Sequence, residues 1–312
     1  MSDGDFAVAA DESFPVTGAA PPLSWSRTVP RELVHRVSVA EVLLTDVREF
    51  GAGRFAAAVQ WPLSHPTFPR GGRGAHSPLM IVETLRQLGI YLPLRFCVTP
   101  PGPHFLITDV HYAIDPRAEP VARHGATEVT CSVAMDGLRR DAASGALSGL
   151  RLRAGFHADG RLFATAGGGA RILDTDRYAA LRGPVPGPHA PVGGSGTRPD
   201  PDVLGVASPH DVLLALGPDG ARLDPADPRH PYFFDHTSDH VPGVALLEAA
   251  RQAVAVQSAG WLRRPVACVL RALRFTEYRP PAAVQCAVYG TTGVFRIRQG
   301  AGPTAVGVLR YS

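Results

Sequence analysis

The chain has 312 residues, 45% of them apolar, and a formal net charge of +3. That length suggests two domains, each with enough apolar content for a packed core. The basic residues are dispersed instead of striped along one face, which excludes the electrostatic footprint of a nucleic-acid binder. No run of apolar residues is long enough for a membrane span, and the first thirty residues lack the basic start and apolar stretch of a secretory signal, so a cytoplasmic protein is expected. There is no lysine, so any phosphate or carboxylate must be held by Arg, His or backbone N–H groups. Cys97, Cys131, Cys268 and Cys286 are widely spaced with no CxxC pair, which argues for free thiols and against a metal knuckle or disulfide scaffold.

Residues 1–30, rich in Ala, Pro and small polar residues, read as a loose arm. Strand-like alternation follows over 39–47 and 54–61. A helix is expected over about 78–92, with Ser77 as its cap and Pro78 in its first turn. Strands are expected over 105–114, 126–135, 148–156 and 161–166, the last two joined at the Asp159-Gly160 turn. Residues 183–202, GPVPGPHAPVGGSGTRPDPD, read as a linker dividing the chain into 31–182 and 203–312. The second part has one long helix, about 242–262, and strands over 266–278, 284–289, 293–297 and 304–311. One long helix among many antiparallel strands is, in each half, the pattern of a sheet wrapped round a helix.

The two halves also share a motif. SHPTFPRGGRGAHSPLMIVETLRQLGI begins at Ser64 and RHPYFFDHTSDHVPGVALLEAARQAVA at Arg229. Each runs His-Pro, an aromatic two residues on, a later His, then Pro opening an apolar helix with Glu-x-x-Arg-Gln. Glu83, Arg86 and Gln87 recur 165 residues later as Glu248, Arg251 and Gln252, which points to duplication.

YFFDHTSDHVPGVALLEAARQA resembles the β-hydroxyacyl-ACP dehydratase signature, a loop His followed by Pro-Gly-Val and a helix carrying Glu and Gln. That resemblance implies an α+β double hotdog, with the two halves forming an intramolecular pseudo-dimer and up to two unequal sites at the seam. Whether further copies associate is left open. A closer resemblance, from VHRVSVAEVLLTDVREFGAGRFAAAVQWPLSHPTF through HSPLMIVETLRQLGIYL to the second helix, is to the A-factor biosynthesis (AfsA-type) family. It implies an acyltransferase that joins a β-ketoacyl thioester to a hydroxyl of dihydroxyacetone phosphate, the ester then cyclising by intramolecular aldol condensation toward γ-butyrolactone or furan signalling molecules. The acyl donor would ride on the phosphopantetheine arm of acyl carrier protein or of CoA, with no other cofactor. A dehydratase or thioesterase on the same fold, and a non-catalytic binder of acyl carriers or butyrolactones, are the alternatives.

Glu83 and Glu248 lie within otherwise apolar helix faces, where desolvation would raise the pKa toward that of a general base. An i,i+3 ion pair with Arg86 or Arg251 is the plainer reading of the same spacing. His236 and His240 lie in the loop before the second helix, closer to the Pro-Gly than the dehydratase pattern places its His. They either serve the reaction, His236 as a catalytic residue and His240 in binding, or order the loop; His65 and His76 lean toward ordering. Gly243 opens the second helix, where its N–H could polarise a thioester carbonyl. Arg86 and Arg251, with Gln87 and Gln252, are the candidate substrate- and phosphate-binding residues.

Overall fold

The structure is a computed structural model that describes residues 22–68, 74–121, 125–184 and 196–312. Most of the expected arm, and the centre of the expected linker, lie outside the described residues. Next to that gap Thr197 bridges to Leu216, and Pro201–Leu204 forms the short helix α3.

The first half contains β1 (Leu44–Gly51), β2 (Arg54–Pro62), α1 (Leu79–Phe96), β3 (His104–Ile114), β4 (Ala126–Arg140), β5 (Leu147–Ala158) and β6 (Arg161–Leu173). A further helix, α2 (Thr175–Arg182), follows β6. The second half contains β7 (Leu214–Gly217), β8 (Gly220–Leu223), α4 (Gly243–Gln257), β9 (Ala267–Ala272), β10 (Ala283–Tyr289), β11 (Thr292–Gln299) and β12 (Gly302–Arg310). All twelve strands join in one antiparallel sheet, ordered β1-β2-β4-β5-β6-β3-β9-β12-β11-β10-β8-β7. Numbered within its half, each set of six strands runs 1-2-4-5-6-3, so the sheet reads the same from either edge. The two sets meet where β3 pairs with β9, His111 opposite Val269. This is the pseudo-dimer expected of the duplication.

Each half-sheet curls round its helix. Leu79, Met80, Ile81, Leu85, Leu88 and Leu92 of α1 are buried in the core, as are Val244, Leu247, Ala250 and Val254 of α4. The α4 helix lies so close to β11 that a Cβ on Gly293 would sit 2.6 Å from a Val254 methyl. The β5–β6 hairpin turns through Asp159 and Gly160, both at positive φ, as that dipeptide predicts. Cys131 and Cys268 are buried, Cys97 and Cys286 half-buried, and all four are free thiols.

Several boundaries differ from the sequence reading. Residues 39–41 form a 3₁₀ turn capped by Ser38 instead of the start of a strand. The first helix continues through Pro93 to Phe96, because Pro93 forfeits only one N–H near the end. The second stops at Gln257, where Ala259 and Gly260 turn into positive φ. The expected strand over 266–278 leaves the sheet after Ala272, and Thr276 turns back to accept the Val241 N–H.

Candidate active site at the seam

The Glu-x-x-Arg-Gln motifs build the same frame twice. Spaced i, i+3, i+4, the three side chains share one helix face. Arg86 donates from Nε to Glu83 Oε2 at 2.8 Å and from Nη2 to Oε1 at 2.9 Å. Arg251 repeats this on Glu248 at 2.8 and 2.6 Å. Gln87 donates to Glu83 Oε1 and to the Glu41 carbonyl, and accepts the Leu43 N–H. Gln252 does the same with Glu248, the Asp211 carbonyl and the Leu213 N–H. Each helix is thereby fastened to the segment leading into its first strand. A second repeated pair lies beside each frame: His65 donates to Glu41 at 3.0 Å and His230 to Asp211 at 2.9 Å, while their Nδ1 atoms accept backbone N–H groups.

The frames differ in three respects. First, Arg36 enters only the Glu83 frame. It lies 3.0 Å from Oε1 and 2.8 Å from Oε2, buried, and stacks 4.8 Å from the Tyr232 ring centre. Burial alone would raise the Glu83 carboxyl, but Arg36 and Arg86 outweigh it and hold the group down at about 2. The matching position in the second half, aligning Ser38 with Ser208, is Val206. The expectation that desolvation makes Glu83 a raised, base-like carboxyl is therefore corrected: two guanidinium groups keep it a fixed anion.

Second, the two arginines are differently occupied. Arg251 spends Nη1 on the Leu204 and Arg263 carbonyls as well as pairing with Glu248. Arg86 spends Nη2 on the Val34 carbonyl, and its Nη1 has no acceptor among the described residues. In Gln87 and Gln252, expected to contact substrate, both N–H groups and the oxygen of each amide are engaged within the frames.

Third, the helix starts differ. Ser77 caps α1, its Oγ accepting the Leu79 N–H. On α4 the N–H groups of Gly243 and Val244 have no acceptor among the described residues. Gly243 packs against Ile107 of β3, on the opposite half.

The loop before α4 connects that open helix start to the Glu83 frame. Arg36 donates to the Tyr232 carbonyl and pairs with Asp235 at 3.5 Å. The Val37 N–H also bonds Asp235, which in turn holds His236 at 2.5 Å. His236 is thus set beside the first-half frame, with its side chain 47% exposed. His35 lies edge-on to Phe105. Desolvation of its ring, and then the positive charges of Arg86, His236 and His104, push it down to about 4. Positive charge from both halves therefore acts on the His35 ring. On the far side of the loop His240 is held by Asp239 at 2.7 Å, and Asp239 accepts from Tyr178 and Arg182 of α2. Arg182 also bonds Glu277. His240 is brought to this brace and not to the frame. His76 is buried at the start of α1, 2.7 Å from the Thr127 hydroxyl.

Comparison with known proteins supplies the last observation. The family model described as "A-factor biosynthesis hotdog domain" matches residues 19–174 and 205–287. The chain belongs to the A-factor biosynthesis hotdog family. A "2-oxo-3-(phosphooxy)propyl 3-oxoalkanoate synthase" of Streptomyces virginiae is 36% identical over 232 residues, 72% of this chain and 76% of that protein. One of Streptomyces griseus is 32% identical over 261 residues, 82% of this chain and 84% of its own. Among solved structures, a 12:0-ACP thioesterase from Umbellularia californica superposes with a TM-score of 0.48 at 9% identity, covering 85% of this chain and 99% of that one. The CurK dehydratase H996F inactive mutant superposes at 0.45 with 14% identity, covering 86% of this chain and 94% of that one.

The sequence pattern named Glu83, Arg86, Gly243 and His236 as candidates but not the contacts that join them. Arg36, Asp235, His35 and His104 were missed. Each acts across the seam or from an unpatterned loop, and no spacing rule connects residue 36 to residue 83. The only available signal was that Arg36 has no counterpart in the second copy.

Proposed function

We propose that the chain transfers a β-ketoacyl group from a thioester to a hydroxyl of dihydroxyacetone phosphate, making a 2-oxo-3-(phosphooxy)propyl 3-oxoalkanoate. The observation that carries this reading is the 36% identity to a synthase so named, combined with a seam site that offers cations, an oriented His and free backbone donors. The donor is an acyl carrier or CoA thioester, and the reaction is assigned to the cytoplasm, where such thioesters are made.

In this reading the acceptor's doubly charged phosphate sits between Arg86 Nη1 and the imidazoles of His35 and His104. The thioester oxygen lies at the start of α4, where the Gly243 N–H and the positive end of the helix stabilise the charge that develops as the hydroxyl attacks. His236, oriented by Asp235, takes the hydroxyl proton. The new C–O bond forms, the C–S bond breaks, and the thiolate leaves with that proton. Glu83 acts as a positioning residue that fixes Arg36 and Arg86. A second reading makes Glu248 the base, because it accepts from only two side chains, without a counterpart of Arg36.

Thiol release from a β-ketoacyl thioester tests the function. It should depend on dihydroxyacetone phosphate. Release at the same rate without it indicates a thioesterase, and conversion of a separately supplied β-hydroxyacyl thioester to the enoyl thioester indicates a dehydratase. Between the two bases, His236→Asn should cost about 10²–10⁴ in kcat and Glu248→Gln much less. The reverse order assigns the proton to Glu248.

A further inference from the structure

A cavity of about 400 Å³ opens on the outer face of the sheet, lined by Arg139, Ser148, Arg171, Leu173, Arg177 and Ala180. Gly149 of β5 is the register partner of Arg139 on one side and of Arg171 on the other. A Cβ at Gly149 would lie 2.6 Å from the Arg139 guanidinium, so the missing side chain lets Arg139 lie flat across β5 toward Arg171. Arg177 closes the cavity from α2 and is neutralised by Asp141 at 2.6 Å and Asp174 at 3.5 Å. Arg139 and Arg171 have no acidic partner among the described residues. Two like charges held over one glycine repel each other unless an anion lies between them. Planar guanidinium groups take phosphate oxygens in pairs, while Leu173 and Ala180 supply an apolar wall.

The cavity is separate from the seam site but adjoins it. Arg171 is the register partner of Leu106 on β3, and the neighbours of Leu106, Phe105 and Ile107, pack against His35 and Gly243. Arg177 is followed by Tyr178, which stacks on His104 at 4.0 Å and bonds Asp239 ahead of α4. A long, thin ligand held by its anionic end outside the sheet would therefore pass round the end of β3 to the start of α4.

Resting on the acyltransferase reading, we propose that the Arg139–Arg171–Arg177 cavity binds the phosphate ester at the far end of the acyl donor's pantetheine arm. Two donors present that chemistry, CoA through its nucleotide and a carrier protein through its phosphopantetheine. Calorimetric titration of the full chain with adenosine 3′,5′-bisphosphate, and separately with 4′-phosphopantetheine, distinguishes them without requiring turnover, so the result is independent of whether the reaction assignment holds. The wild type should bind at least one probe, and Arg139→Gln with Arg171→Gln should weaken that binding at least tenfold. Binding of the bisphosphate, with or without phosphopantetheine, identifies CoA; binding of phosphopantetheine without the bisphosphate identifies a carrier. Gly149→Ala, which displaces the Arg139 head, should weaken binding in the same direction and decides the matter if the double variant does not fold. Failure of both probes to bind, or equal affinity in wild type and variants, overturns the proposal.

Discussion

Glu83 is buried, yet three side chains donate to it, and that sets its chemistry. Its carboxyl is depressed to about 2 in the folded protein, against an ordinary glutamate near 4.3. A depressed folded pKa stabilises the protein above the unfolded value. The Glu83 contribution should thus be complete above about pH 4.5 and disappear as pH falls toward 2. In urea titrations Glu83→Gln should abolish most of that acid-range slope, and an unchanged slope would contradict the ion-pair account. At neutral pH the same variant leaves Arg36 buried without its main counter-charge, and should cost about 3–5 kcal/mol. The two arginines of the duplicated motif should separate in kinetics. Arg86→Ala should remove most of the preference for dihydroxyacetone phosphate over dihydroxyacetone, because Nη1 of Arg86 is the open donor. Arg251→Ala should depress both acceptors alike, because that guanidinium is already committed to Glu248 and two carbonyls. Equal behaviour of the two variants would remove Arg86 from the phosphate site. The motif identified both arginines by sequence, but it could not rank them, since the ranking depends on carbonyls at residues 34, 204 and 263 that only the fold brings near.

At the scale of elements, the start of α4 is the most informative. Pro242 has φ −61° and ψ 143°, a conformation that a following proline tolerates, and proline is at home in the first helical position. Gly243→Pro should therefore keep the helix while deleting one N–H, and lower kcat by about 10²–10³ if that N–H serves the oxyanion. Gly243→Ala, whose Cβ would make an ordinary 3.6 Å contact with Ile107, should stay near wild type. Full activity in the proline variant would remove Gly243 from the mechanism. Both long helices were legible because Pro-opened turns and apolar spacing agree over many residues. β7 and β8 were not: they span four residues each, in LALGPDGARL, too short for alternation to register. Nor was α2 legible. None of its residues is buried, so it has no apolar stripe, and its place depends on Arg182 reaching Asp239 and Glu277.

The whole molecule is a duplicated fold whose halves have diverged at their seam. The repeat was readable because the framing residues fasten helix to strand at the same spacing in both copies. The divergence was not readable, because it consists of features that only one of the two copies has: Arg36 beneath Glu83 in the first, and the Asp235–His236 pair and an uncapped start to α4 in the second. In the proposed reading these make one seam site that takes a phosphate and a thioester. The most direct test is mass spectrometry of the purified chain incubated with a β-ketoacyl thioester and dihydroxyacetone phosphate. The predicted product is the phosphorylated glycerone ester with the β-ketone intact, formed in step with free thiol. A free β-keto acid or unchanged substrates would contradict the account.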